Sequence, residues 1–141
     1  MIYTMNKKLI PLFLIAGIQL IFSGCEEKEP PPVNTLSVKK ITANSAKSGG
    51  NVTDDGGAPV ARRGVVWSTS KEPSLEANEG KTKDGRGTGE FTSELTDLNS
   101  GTTYYVRAYA LNAAGVAYGN QKEFTTAEKE GKSSVSEEIV K

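Results

Sequence analysis

From residue 35 to residue 126 the apolar residues of this chain alternate over short runs, and no stretch repeats them at a helical spacing. Alternation puts successive side chains on opposite faces of an extended backbone, so each run reads as a strand with one buried face. The runs are rich in Val, Thr, Tyr and Phe and are cut by clusters of Gly, Asn and Asp, which supply turn conformations. Seven or so short strands in roughly 92 residues predict an all-β fold, an antiparallel β-sandwich.

Leu36 and Val38 predict the first strand, and residues 44–53 the second, with Ala46, Ser48, Gly50 and Val52 on one side. Asp54-Asp55-Gly56-Gly57 is a turn, because Asp-Gly and Gly-Gly tolerate positive φ. Residues 61–69 form a third strand with Val65 and Trp67 on one face, followed by a long glycine-rich connection from Ser70 to Gly89. Phe91, Ser93 and Leu95 alternate with polar neighbours. A strand from Thr102 to Leu111 then turns at Asn112-Ala113-Ala114-Gly115 into a last strand ending at Phe124. Trp67 is expected in the core, in space left by Ala46, Ser48 and Gly50; a ligand platform is the alternative.

The N-terminus follows other rules. Lys7 and Lys8 precede an apolar run from Leu9 to Phe22, and Ser23-Gly24-Cys25 ends it. The run falls short of the roughly 20 residues that cross a bilayer as a helix. With its positive flank and small residues at the cut, it predicts a secretory signal over residues 1–24. An uncleaved anchor and plain secretion with a free thiol are the alternatives. Residues 25–34 are acidic and then proline-rich, which predicts a spacer in polyproline conformation. Residues 35–126 are the sandwich, and 127–141 a polar, frayed tail.

Two resemblances sharpen this. Ile21-Phe22-Ser23-Gly24-Cys25 resembles the lipobox of bacterial lipoproteins, with Phe22 where Leu is usual. The resemblance implies cleavage before Cys25 and acylation of its sulfur and of the new amino terminus, with palmitate-like chains. It places the protein in the envelope of a Gram-negative bacterium, at the outer membrane. Glu26, Glu27 and Glu29 resemble a signal for export to the outer face; a solvated spacer without sorting information is the equal alternative. The stretch from Leu98 to Ala110, with Gly101-Thr102, Tyr104 and Val106, resembles the E–F corner and F strand of fibronectin type III domains. Tyr104 takes the place of the tyrosine-corner residue, and Ser100 stands where the family has Pro. Ala61 to Thr69 and Asp84 to Phe91 are similar to a fibronectin-III-like subgroup found in bacterial surface lipoproteins. The resemblance implies an immunoglobulin-like fold, and for function a spacer, an adhesive module or a carbohydrate-enzyme appendage.

Composition removes several chemistries. The 17 basic residues less Lys7 and Lys8 leave 15 against 17 acidic ones, a mature charge of −2 that does not suit a nucleic-acid partner. The chain has no histidine, the commonest general base and zinc ligand, and Cys25 is its one cysteine. No cofactor is implied. Asp54-Asp55 and Asp84-Gly85 lack the alternating carboxylates of a calcium loop and read as turns, so no metal site is expected. Gly85-Arg86-Gly87-Thr88-Gly89 precedes a strand rather than a helix, so no helix N-terminus awaits a phosphate. No carboxylate pair is placed for catalysis, and the chain is not read as an enzyme. Along the F strand, Tyr105, Arg107 and Tyr109 share the face opposite Tyr104. They are the candidate ligand-binding residues, for a protein or a glycan, with a cross-strand packing ladder as the alternative. The leading expectation is a membrane-anchored lipoprotein whose sandwich serves as an adhesion, scaffold or spacer module. A carbohydrate-binding accessory protein is the alternative. Oligomeric state is left open.

Overall fold

The computed structural model describes residues 26–130. The signal, Cys25 and residues 131–141 of the tail lie outside the described residues. The strands are β1 (Val33–Thr35), β2 (Ala46–Val52), β3 (Arg62–Ser68), β4 (Gly80–Lys81), β5 (Gly89–Leu95), β6 (Thr103–Asn112), β7 (Gly115–Tyr118) and β8 (Lys122–Thr125). One sheet has the order β1-β2-β5 and the other β4-β3-β6-β7, with β8 also paired to β6. Every pairing is antiparallel. Two sheets face to face over a shared core make a sandwich.

The core is made by the alternation. Ala46, Ser48, Gly50 and Val52 of β2 and Phe91, Ser93 and Leu95 of β5 point in from one sheet. Val65 and Trp67 of β3, with Tyr104, Val106, Ala108 and Ala110 of β6, point in from the other. Burying a side chain the size of Val, Leu or Phe contributes about 1.5–3 kcal/mol, so these few positions dominate the stability of a chain without disulfides. Gly50 makes room for Phe91: a Cβ there would lie 2.7 Å from both the Phe91 ring and Ala108 Cβ. Trp67 lies in the same core cluster as Ala46, and it has a further neighbour in its own sheet. Gly80, its register partner on β4, lies against the indole, and a Cβ there would stand 2.1 Å from Cζ2.

The structure departs from the sequence expectation at four places. The first strand is Val33–Thr35, not Leu36 and Val38, so the sandwich begins inside the stretch expected to be spacer. The Pro31 ring is fully buried, the Pro32 carbonyl accepts from Thr53 N–H at 3.1 Å, and Glu29 N–H donates to the Gly56 carbonyl at 2.8 Å. An extended proline-rich segment lacks internal hydrogen bonds and can lie along a sheet edge as readily as in water. The long connection holds a short strand, β4. The last strand is two, because residues 119–121 leave the ladder between β7 and β8. Thr35 seals that break. Its Oγ1 accepts from Ala108 N–H at 2.9 Å, and its own N–H donates to Asn120 Oδ1 at 3.1 Å. At the other terminus Ala127, expected in the frayed tail, donates its N–H to the Thr42 carbonyl.

Pairing defines two poles. Residues 29–33, the turn 54–57, the loop 85–89 and the turn 112–115 gather at one, which we call the base. Residues 41–45, 96–102 and 126–127 gather at the other.

Candidate functional site

The outer face of β6 is covered by the protein itself. Residues 69–79, between β3 and β4, form a strap across it. Arg107 donates from Nε and Nη2 to the Pro73 carbonyl at 2.9 and 2.7 Å, and its guanidinium lies 4.3 Å from the centre of the Tyr118 ring. Tyr118 Oη accepts from Leu75 N–H at 2.8 Å, and Pro73 is fully buried beneath. Tyr109 is 0% exposed, and its hydroxyl donates to the Thr82 carbonyl at 2.5 Å. Burial raises its pKa above the ordinary tyrosine value. Tyr105 is half-buried, with Lys71 Nζ 6.0 Å from its ring centre.

Tyr105, Arg107 and Tyr109 therefore do not make the open binding face expected of them. Alternation assigned them correctly to the side opposite Tyr104, but it cannot say what packs there. The strap holds its own shape. Glu79 accepts from Ser68 Oγ at 2.9 Å and from the N–H and Oγ1 of Thr69, both at 2.6 Å. Asn78 Nδ2 donates to the carbonyls of Ser74 and Leu75.

On the inner side, Tyr104 Oη accepts from Asn99 N–H at 2.9 Å, and its ring stacks on Phe124 with centroids 5.8 Å apart. Trp67 is 6% exposed and belongs to the core. Neither offers a surface to a ligand.

The acidic and glycine-rich loops are occupied as well. Asp54 and Asp55 accept from the N–H groups of Gly56 and Gly57, closing their own turn. Asp84 Oδ2 accepts from Thr82 Oγ1 and Ser93 Oγ, which ties the edge beyond β4 to β5 in the opposite sheet. Arg63 donates to the carbonyls of Asp84, Gly87 and Thr88 and lies over the Phe91 ring at 5.1 Å. Gly85, Gly87 and Gly89 have φ of 91°, 81° and 100°, and the loop they shape turns carbonyls toward a cation of the protein. That is the reverse of a phosphate cradle, which presents N–H groups. Among the described residues no group of three or more Asp, Glu, His or Cys side chains could hold a metal ion.

Asn112 is the connection that sequence reading missed. Its Nδ2 donates to the carbonyls of Glu29 and Asp55, each at 2.7 Å, and its Oδ1 accepts from the N–H groups of Ala114 and Gly115. One buried amide thus pins the N-terminal segment, the 54–57 turn and its own hairpin together. Asn before a glycine turn is legible as a turn residue; what its other half holds is not.

Two open clefts have mixed polar and apolar linings. One, of about 640 Å³, lies at the pole away from the base, lined by Thr42, Asn44, Leu98, Asn99, Ser100 and Glu128 among others. The other, of about 390 Å³, lies along β2 and β5, with Lys39, Lys40 and Lys47 facing Glu90 and Thr92. Lys47 is already paired with Glu94 at 2.8 Å.

No protein-family model matches this chain, and no curated protein matches it. Solved structures do. A myokine is 21% identical with a TM-score of 0.53, over 71% of this chain and all of that one. The sensor domain of the anti-sigma factor RsgI4 of Pseudobacteroides cellulosolvens is 19% identical with a TM-score of 0.53, over 73% of this chain and 80% of that one. The third fibronectin III domain of the human KIAA0343 protein is 17% identical with a TM-score of 0.51, over 80% and 96%. At these identities the likeness is one of fold, and the fold is a fibronectin type III-like β-sandwich.

Proposed function

We propose that this protein is an envelope lipoprotein, anchored through acyl chains on Cys25, whose sandwich is a rigid scaffold or adhesion module. The observation that supports it most is the docking of Glu29, Pro31 and Val33 onto the body of the domain, four to eight residues after Cys25. A domain carried so close to an anchor is positioned by it. Stable anchoring needs more than one acyl chain at about 0.8 kcal/mol per buried CH₂, which fits a multiply acylated cysteine. The outer membrane of a Gram-negative cell is the proposed location. Cys25→Ala should shift the protein from the membrane to the soluble fraction or leave the precursor uncut; a cleaved variant that stays membrane-bound would refute the anchor. Protease shaving of intact cells reads whether the domain faces outward.

A glycan reading that rests on Tyr105, Arg107 and Tyr109 is not retained, because Tyr109 is covered and Arg107 is engaged. A second reading, ligand sensing, is favoured by the likeness to a bacterial sensor domain and by the open cleft at the far pole, with its mixed polar and apolar lining. Glycan and peptide arrays, with Asn44→Ala and Asn99→Ala as controls, test it.

A further inference from the structure

We infer that the base of the sandwich is a membrane-facing surface, held against lipid headgroups, while the pole with the larger cleft points away from them. The inference rests on acylation of Cys25. From Cys25 to Glu29 there are four residues, and an extended chain covers at most about 3.6 Å per residue, so the reach is roughly 14 Å. At Glu29 the freedom ends. Its N–H and carbonyl are bonded to Gly56 and Asn112, so the backbone there is fixed to both the 54–57 turn and the end of β6. Pro30 then packs near Gly115, Pro31 is buried and Val33 enters β1. Had residues 25–34 been a free spacer of ten residues, the reach would be about 31 Å at 3.1 Å per residue, comparable to the domain itself. The ten residues of β6 run from one pole to the other, roughly 33 Å at about 3.3 Å each. Confinement to 14 Å is therefore less than half the length of the domain, and it applies to the base alone.

Charge does not supply this contact. Glu26, Glu27, Glu29, Asp54 and Asp55 are exposed at the base beside Lys28 and Arg86, so carboxylates outnumber cations there. Carboxylates do not draw a surface toward anionic lipid, so the base stays close because it is tied. A tie by covalent chain is indifferent to salt, whereas attraction between surface charges fades over a Debye length of about 8 Å at 0.15 M ionic strength.

The test uses the chain from Cys25 onward, coupled through that thiol to a maleimide lipid in neutral phosphatidylcholine vesicles that carry a headgroup quencher. A fluorescent amino acid replaces either Ala113, exposed at the base, or Thr96, exposed at the far pole. Quenching should be several-fold stronger at position 113 than at 96, and unchanged at high salt. Ten Gly/Ser residues inserted between Glu26 and Glu27 should reduce the contrast sharply without touching any packed residue. Equal quenching at the two positions, a contrast that survives the insertion, or one that disappears with salt would each overturn the inference. The mass of the N-terminal peptide from cells reports acylation separately. A chain oriented on vesicles but unacylated in cells would refute the anchoring function and leave the geometry standing.

Discussion

At the scale of single residues, the core depends on pairs in which a large side chain occupies space that a glycine leaves. Trp67 over Gly80 is the tightest of these. Gly80→Ala should cost about 1–3 kcal/mol by overpacking, and Trp67→Ala about 3–5 kcal/mol by the cavity it leaves. Measured together by chemical denaturation, the two should be strongly non-additive, since the three atoms nearest the alanine methyl all belong to the indole. Strict additivity would mean that Gly80 serves its backbone rather than the ring. Glu79 offers a second measurement. Hydrogen bonds from the Thr69 side chain, then from its N–H and from Ser68, hold this carboxyl below its ordinary value of about 4.5 against a smaller opposing effect of burial. A depressed folded pKa gives stability that is present above the unfolded value and lost as pH falls through the folded one. The stability advantage of wild type over Glu79→Gln should therefore be full near neutrality and shrink below about pH 4.5. A difference that stays constant down to pH 3 would show that the ionised form is not what holds the loop, on the ordinary scale of carboxylate titration near pH ~4.

At the scale of elements, what the strands do was legible and what covers them was not. Period-two spacing in Thr103–Asn112 separated Tyr104, Val106, Ala108 and Ala110 from Tyr105, Arg107 and Tyr109, and the first four line the core. The same spacing carries no information about a loop that comes back over the second set. The strap lies in Ser70 to Gly89, where turn residues mark an irregular path without saying where it lands. Local bonds within the strap are short in sequence; its landing bonds, Arg107 to Pro73 and Tyr118 to Leu75, span 34 and 43 residues. Arg107→Ala removes two of those bonds and the stacked cation together. Amide exchange across residues 70–79 should then rise while the core strands stay protected, and Tyr118, whose ring and hydroxyl Arg107 and Leu75 engage in the wild type, should become more reactive to nitrating reagents. Exchange that rises equally in β3 and β6 would mean that the strap is part of one cooperative unit with the sheets.

For the whole molecule, the sandwich was readable because a two-sheet core imposes the same alternation on every strand. Its N-terminal limit was not, because Glu29 to Pro32 bind through backbone groups and a proline ring, and neither leaves a periodic trace. That limit decides how the body meets a load. Pull on the chain ahead of Glu29, along the line from pole to pole, enters β1 lengthwise. The pairings of Val33, Asn34 and Thr35 with β2, and of Thr35 with β6, then bear the force side by side rather than one after another. Asn112 passes part of it directly into the other sheet. Shear shared in parallel resists far better than the same bonds peeled in sequence, so the proline-rich stretch is less a stalk than the grip of a clamp. Drag on whatever the far pole holds would be borne by both sheets at once.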